Sequence, residues 1–250
     1  MRLPAAAIAS LLLMPACATP PAEAPTKVVL TLFDLSESTA KLAMRKAYLD
    51  AFRTIVATVR SGDALVAGWI TEHSAAELVL PVRMNIPPFS PDTDNPTVIE
   101  AKRAAAMQAV RAETEQACQT IAAGLQNPGR KVLNTNILSS LTVAERVFKS
   151  FSQPRKVLVI MSDMLEDSEH YNFERLKLTA HETARIIEAE KRAGRLADLH
   201  GVRVYVIGAS APSDDRLIEV ESFWRAYFEA CAAELRKENY GAALVSFSEQ

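Results

Sequence analysis

Short apolar runs alternate with longer amphipathic stretches along the chain from Lys27 to its end. A run such as residues 28–33, rich in β-branched and aromatic side chains, is typical of a strand buried on both faces of a parallel sheet. Apolar residues spaced three and four positions apart, as in residues 38–60, are typical of a helix packed on one side. The predicted strands are 28–33, 63–71, 76–82, 156–163, 202–210 and 242–247. The predicted helices are 38–60, 98–125, 137–151, 172–193 and 214–237.

This alternation predicts an α/β fold with a doubly wound, mostly parallel six-stranded sheet and helices on both faces. Only the short polar stretch 72–75 separates the second and third strands, so these two are predicted to form a hairpin, with the third strand as an antiparallel edge strand. A proline-rich insertion at 83–97 follows and is expected to be irregular.

The first 26 residues differ in pattern from the rest of the chain. Residues 1–17 are predicted to be a secretory signal peptide, since Met1-Arg2 precedes an apolar stretch that is too short to span a bilayer. The sequence "LLLMPAC" favours a bacterial lipobox with Cys17 as the lipidated residue, whereas "ACA" favours ordinary cleavage and a soluble periplasmic form. Residues 18–26, rich in proline and alanine, are predicted to tether a domain at 27–250 to the membrane.

Composition narrows the class of protein. With 250 residues and 49% hydrophobic content, the chain is long enough to bury a full core in one domain. A net charge of −2 argues against recognition of nucleic acid or of an anionic membrane by bulk charge. Loss of Cys17 to a lipid would leave Cys118 and Cys231, for which a disulfide and two buried free thiols are both open readings.

Three predicted loops carry oxygen donors on the same edge of the sheet. Asp34, Ser36 and Ser38 follow the first strand, Thr135 precedes the helix at 137–151, and Asp163 ends the strand at 156–163. In doubly wound sheets, ligands bind outside the carboxyl ends of the strands. Carboxylates and hydroxyls are the ligands that a hard divalent cation such as Mg²⁺ prefers.

In these motifs the chain resembles a von Willebrand factor type A (VWA) domain over residues 27–247. The family's metal-ion-dependent adhesion site has an Asp-x-Ser-x-Ser motif after the first strand, a Thr in a second loop and an Asp in a third. The resemblance implies one Mg²⁺ or Mn²⁺ site formed by Asp34, Ser36, Ser38, Thr135 and Asp163. In the family the hydroxyls contact the metal while the aspartates act through water, which leaves the cation avid for an Asp or Glu carboxylate of a partner protein.

Two positions depart from the family pattern. Asn136 stands where an Asp is common, but an Asn can still cap the helix that follows. Met164 replaces a common Gly after Asp163, so the loss of a residue that tolerates positive φ predicts a different turn at the third loop. Glu166 and Asp167 are interpreted as ordinary charge complements to a helix N-terminus rather than as metal ligands.

The resemblance implies a protein-binding module in the cell envelope, in a surface, secretion or conjugation assembly, rather than an enzyme. The hairpin places Glu72 and His73 at the metal edge, where they are expected to line the partner surface. The proline-rich insertion should fall at the opposite edge, so deleting residues 85–95 is expected to leave metal affinity unchanged. The alternatives are a metal-free scaffold of the same fold and a metal-assisted hydrolase, for which only Glu166 or Asp167 offers a general base.

Overall fold

The computed structural model describes residues 25–72, 74, 79–128, 132 and 134–247. Its six-stranded sheet has the order β3-β2-β1-β4-β5-β6, parallel throughout except for β3, which runs antiparallel to β2. The predicted fold class is therefore confirmed. The strands are β1 (Lys27–Asp34), β2 (Ala64–Ile70), β3 (Val82–Asn85), β4 (Arg155–Met161), β5 (Val202–Ile207) and β6 (Glu234–Gly241).

Helices cover both faces of the sheet and divide the core in two. Alternate residues of β1 point to opposite faces, so Leu30 and Leu32 join one cluster of buried residues and Val29 and Phe33 join the other. The first cluster packs under α3, α4 and α5, and the second packs under α1 and α2. The helices are α1 (Leu42–Val56), α2 (Pro96–Gln126), α3 (Ile137–Lys149), α4 (Ala180–Arg192) and α5 (Asp214–Ala230).

The central position of β1 brings the predicted loops to one edge. Asp34, the last residue of β1, is in register with Ile70 at the end of β2, and Phe33 is in register with Met161 at the end of β4. The carboxyl ends of these parallel strands therefore meet at the same edge, which we call the metal edge because the predicted ligands lie there.

The antiparallel edge strand is confirmed, although it begins later than predicted. β3 pairs with β2 from Val82 to Asn85, and the Val79 carbonyl accepts a hydrogen bond from Trp69 N (3.1 Å) just before it. Because β3 is antiparallel, Asn85 lies beside Ala64, at the edge opposite to the metal edge. The proline-rich insertion starts after Asn85 rather than at residue 83, and lies at the predicted edge.

The helix predicted over 172–193 begins only at Ala180. Before it, the Phe173 side chain is fully buried and packs edge-on against Phe223 of α5, with ring centroids 4.6 Å apart. Thr179 then caps α4 by accepting a hydrogen bond from Glu182 N (3.2 Å). Packing of Phe173 and the Thr179 cap therefore override the helical periodicity of residues 172–179.

The C-terminal elements also differ from the prediction. α5 ends at Ala230, and Ala232 has a positive φ of 58°, which turns the chain into β6. β6 is an edge strand, and it is rich in charged residues, as edge strands often are. In the sequence these charged residues look like a continuation of the exposed face of α5, so the sequence pattern predicts a helix that extends to residue 237. The predicted last strand, 242–247, has no regular structure, and its Phe247 ring packs against Tyr205 with centroids 5.0 Å apart.

Within the described part of the chain, none of the helices combines the length and the apolar character that crossing a membrane requires.

Candidate metal centre

The Asp34 carboxylate is the centre of the site. Its side chain is fully buried, and Oδ1 accepts a hydrogen bond from Ser36 N at 2.8 Å while Oδ2 accepts one from Ser162 Oγ at 2.7 Å. The Thr39 hydroxyl donates to the Asp34 carbonyl (2.8 Å) and lies 3.0 Å from the Ser36 carbonyl. These bonds close the loop after β1 on itself and hold Asp34 and Ser36 at the end of the strand.

The second loop meets the first. Thr135 Oγ1 lies 3.5 Å from Asp34 Oδ1, and the Ser36 and Ser38 hydroxyl oxygens are 3.1 Å apart. A β-bridge between Ser36 and Val132 keeps the second loop alongside the first. The structure therefore brings together the hydroxyls that the sequence predicts as ligands.

Asp163 supplies the second carboxylate. Its side chain is 3% exposed, and its Oδ1 accepts a hydrogen bond from Leu165 N at 3.0 Å. Burial raises the pKa of Asp163, and the neighbouring Ser38 hydroxyl of the first loop opposes this rise. All five predicted ligands therefore lie at one site, formed by three loops.

No positively charged side chain among the described residues compensates the two carboxylates. Burial, and after it the charge of Asp163, raises the pKa of Asp34 to about 6. Burial also raises the pKa of Asp163. Neither carboxylate forms an ion pair with a described residue. Burial therefore disfavours the charged form of both, and no described cation offsets this cost.

The chemistry of the donor set suits a hard divalent cation. Among the described residues, no group of three or more His, Cys, Asp and Glu side chains is arranged to hold a metal ion. The candidate site consists instead of two carboxylates and three hydroxyls. Oxygen ligands of this kind suit Mg²⁺ or Mn²⁺ and disfavour Zn²⁺, which takes nitrogen and sulfur.

The third loop turns as a glycine would allow, despite Met164. Met164 has a φ of 69°, so the prediction that this loop would turn differently is wrong. Its side chain is fully buried, its N–H donates to Ser162 Oγ (2.9 Å), and its carbonyl accepts a bond from Trp224 Nε1 (2.8 Å). These contacts hold the left-handed conformation, which costs an L-residue about 1–2 kcal/mol.

Two residues organise the N-terminus of α3, directly after Thr135. The Asn136 side chain accepts a hydrogen bond from Ser139 N (3.0 Å), which confirms its predicted capping role. Glu166 Oε2 accepts bonds from Ile137 N (2.7 Å) and Leu138 N (3.1 Å). The interpretation of Glu166 as a charge complement to the helix that follows it is therefore wrong, because its carboxyl group accepts hydrogen bonds at the N-terminus of the preceding helix, α3.

Ser162 and Thr39 support the site through hydrogen bonds that the sequence motifs do not predict. Ser162 donates to Asp34 across 128 positions of sequence, and Thr39 closes the first loop. One indication of these roles is present in the sequence, because each hydroxyl residue is adjacent to a predicted ligand: Ser162 to Asp163 and Thr39 to Ser38.

The predicted partner rim is described in part. Glu72 is half-buried and lies in the turn after β2, whose last residue Ile70 accepts a backbone bond from Leu35 N (3.4 Å). Glu72 therefore stands at the metal edge, as expected. His73 lies outside the described residues.

Cys118 and Cys231 are both free and buried, so the disulfide reading is wrong and the reading as buried thiols holds. Cys118 belongs to the core cluster under α1 and α2, whereas Cys231 belongs to the cluster on the other face of the sheet. The sheet separates the two sulfur atoms.

Comparison with solved structures identifies the fold. The D319A mutant of the PilB minor pilin from Streptococcus sanguinis matches with a TM-score of 0.50 and 13% identity, over 85% of this chain and 57% of that chain. Manganese-loaded TRAP protein from Plasmodium vivax matches at 0.48 and 12%, over 88% and 69%. A von Willebrand factor type A protein from Catenulispora acidiphila matches at 0.38 and 13%, over 84% and 42%.

No family model matches the sequence, and neither does any curated protein. At 13% identity, the likeness to the PilB structure concerns the fold alone, and this chain spans 57% of the length of the PilB chain. The strand order, with its single antiparallel edge strand, and the helices on both faces define an α/β fold that this chain shares with the PilB minor pilin structure.

Proposed function

We propose that this protein is a non-enzymatic protein-binding module that uses one Mg²⁺ or Mn²⁺ ion to engage a carboxylate of a partner protein. Asp34, Ser36, Ser38, Thr135 and Asp163 would hold the ion. The observation that carries the proposal is the convergence of two buried carboxylates without an ion-pair partner among the described residues and three hydroxyls at one edge of the sheet.

The charge of the site supports this assignment. A divalent cation would relieve the repulsion between Asp34 and Asp163 and compensate their loss of water. Hydroxyl ligands add no negative charge, so the bound cation would keep affinity for one further anionic oxygen. A carboxylate of a partner is the commonest such oxygen on a protein surface.

The two carboxylates that the hydrolase alternative offers as general bases are both hydrogen-bonded within the loops. Glu166 Oε2 is occupied by two amides of α3, and Asp167 Oδ1 accepts a bond from Asn172 Nδ2 at 2.7 Å. Both carboxylates therefore have roles in holding the loops together, which favours binding over catalysis.

We place the protein in the bacterial cell envelope, anchored by a lipid on Cys17 through the tether at 18–26, as a component of a surface, secretion or conjugation assembly. This placement depends on the N-terminal sequence pattern alone. The mass of the N-terminal peptide from the mature protein distinguishes the lipid-modified form from a soluble periplasmic form.

Calorimetric titration of Mg²⁺ and Mn²⁺ into the purified protein tests the metal site. We expect saturable binding that is lost in Asp34→Asn and Thr135→Ala and retained in Thr135→Ser, which keeps the hydroxyl. Without metal, Asp34→Asn should be as stable as the wild type or more stable, because it removes a buried charge.

Absence of saturable binding by the folded wild-type protein would contradict the proposal and leave the metal-free scaffold. A large loss of metal-free stability in Asp34→Asn would assign the carboxylate a structural role instead.

A further inference from the structure

A groove of about 440 Å³ lies between α1 and α2, next to the metal edge. Its apolar lining includes Leu42 and Leu49 from α1 and Ala122 and Leu125 from α2. We call it the α1–α2 groove.

The groove is continuous with the metal loop. Ala40 lines it and directly follows Thr39, whose hydroxyl is bonded to the Asp34 carbonyl at 2.8 Å. Leu42, the first residue of α1, is 83% exposed. An apolar side chain stabilises a protein or a complex only when its surface is removed from water. An apolar side chain therefore stands in solvent a few residues from the proposed ligand Ser38.

The charges that line the groove are positive. Arg45 and Lys46 line it, and none of the described residues that line it is acidic. Arg45 Nη1 donates to the Leu125 carbonyl at 2.5 Å, which ties α1 to α2 and holds the guanidinium at the wall. Together with a divalent cation at the metal edge, these groups favour an acidic partner.

We propose that the partner of the metal site is an acidic protein segment that presents two features together. One carboxylate reaches the metal, and an aliphatic side chain a few residues away fills the α1–α2 groove, with a second acidic residue beside Lys46. This inference rests on the proposed function, since the metal sets where the segment begins. The cation alone would bind any accessible carboxylate. The groove would add specificity, because it favours segments that also carry the aliphatic side chain.

The test is an array of synthetic nonapeptides with a central Asp and with Leu, Ala, Glu or Lys at each flanking position, probed with the purified protein in Mn²⁺ and in EDTA. We expect Leu at one fixed offset to improve binding about fivefold to tenfold over Ala, and Glu to be favoured over Lys nearby. Both preferences should require Mn²⁺.

Matched variants separate the groove from the metal. Leu42→Asn should lose the Leu preference, and Lys46→Gln should weaken the Glu preference. Ile218→Asn is the control, because Ile218 is 60% exposed on α5, outside the groove. All three variants should bind Mn²⁺ as the wild type does in calorimetry.

Failure of the wild type to bind Mn²⁺ would overturn the proposed function and this inference with it. Normal Mn²⁺ binding without a Leu preference on the array would overturn the groove alone, as would a Leu preference that survives in Leu42→Asn. Preferences that persist in EDTA would show that the groove acts independently of the metal, which also contradicts the inference.

Discussion

Met164 has the left-handed backbone conformation, which is unfavourable for L-residues, and it lies in the loop that carries Asp163. The buried side chain and the bond from Trp224 to its carbonyl are the contacts that hold it there. The backbone next to the candidate ligand Asp163 is therefore strained, and packing of the surrounding core maintains this strain. The packing of one side chain thus substitutes for the glycine that the turn favours.

This strain predicts an unusual order of stability. Met164→Ala and Met164→Gly both remove the buried side chain, at a cost of about 2–5 kcal/mol, but only the glycine relieves the left-handed conformation. We expect Met164→Gly to be more stable than Met164→Ala by about 1 kcal/mol in urea unfolding. At Ile186, buried within α4, the alanine variant should instead be the more stable of the two. Equal stabilities at position 164 would contradict the strain.

Glu166 makes stability depend on pH. Burial raises its pKa to about 8 from an ordinary value of 4.5, even though two amides of α3 favour the charged form. The folded state therefore favours the protonated carboxyl. Its stabilising contribution is complete below about pH 4.5, falls as pH rises, and is lost above about pH 8.

Glu166→Gln stays neutral at every pH and keeps an oxygen acceptor for α3. We expect the free energy of unfolding of this variant, relative to wild type, to increase between pH 5 and pH 8 by on the order of 2–4 kcal/mol in EDTA. Unfolding at several pH values measures the difference, in which effects of Asp34 and Asp163 common to both proteins cancel. A difference that stays constant with pH would contradict a buried, protonated Glu166.

Among the elements, α3 matters most to the site because it begins two residues after Thr135. Backbone bonds between Thr135 and Asp167, at 2.8 and 2.9 Å, join this start to the third loop. These bonds, together with the start of α3, hold Thr135 in a fixed position relative to the third loop, which carries Asp163.

Loss of the α3 cap should affect stability and the site together. Asn136→Ala removes the acceptor for Ser139 N and should lower the free energy of unfolding by about 1 kcal/mol, with weaker Mg²⁺ binding. Asn136→Ser retains a capping oxygen and should keep both properties near wild type. Thermal unfolding and calorimetry measure the two effects, and a neutral Asn136→Ala would show that Glu166 alone satisfies the helix end.

Over the whole molecule, the sheet has two opposite edges. The metal edge carries the candidate ligands and the α1–α2 groove, whereas the proline-rich insertion lies at the far edge, where Ser61 Oγ donates to the Pro87 carbonyl at 2.7 Å. Asn85 belongs to β3 and Asn95 caps α2, so a deletion of residues 85–95 would disturb two elements as well as the loop.

Replacement of residues 90–94 by a Gly-Ser linker of equal length is the sharper test of this separation. We expect Mg²⁺ and Mn²⁺ affinity to stay within about twofold of wild type, because the replaced residues lie at the edge opposite to Asp34. Calorimetry of the replaced protein measures this, with Asp34→Asn as the control that loses binding. A tenfold loss of affinity in a folded protein would contradict the separation of the edges.

The central strands of the sheet, the antiparallel edge strand and the group of candidate ligands could all be predicted from the sequence. Buried strands such as β1 are continuous apolar runs, and their carboxyl ends must meet at one edge when the strands are parallel. Asp34, Thr135 and Asp163 could therefore be placed together before any contact was known.

Other features depend on contacts between residues distant in sequence and were found only in the folded structure. Packing of Phe173 against α5 shortened α4, the pairing of β6 with β5 gave a strand to a charged segment, and Trp224 held Met164 at positive φ. The sheet also separated Cys118 from Cys231. Local periodicity and spacing contain no information on these contacts, because each joins residues whose proximity exists only in the folded chain.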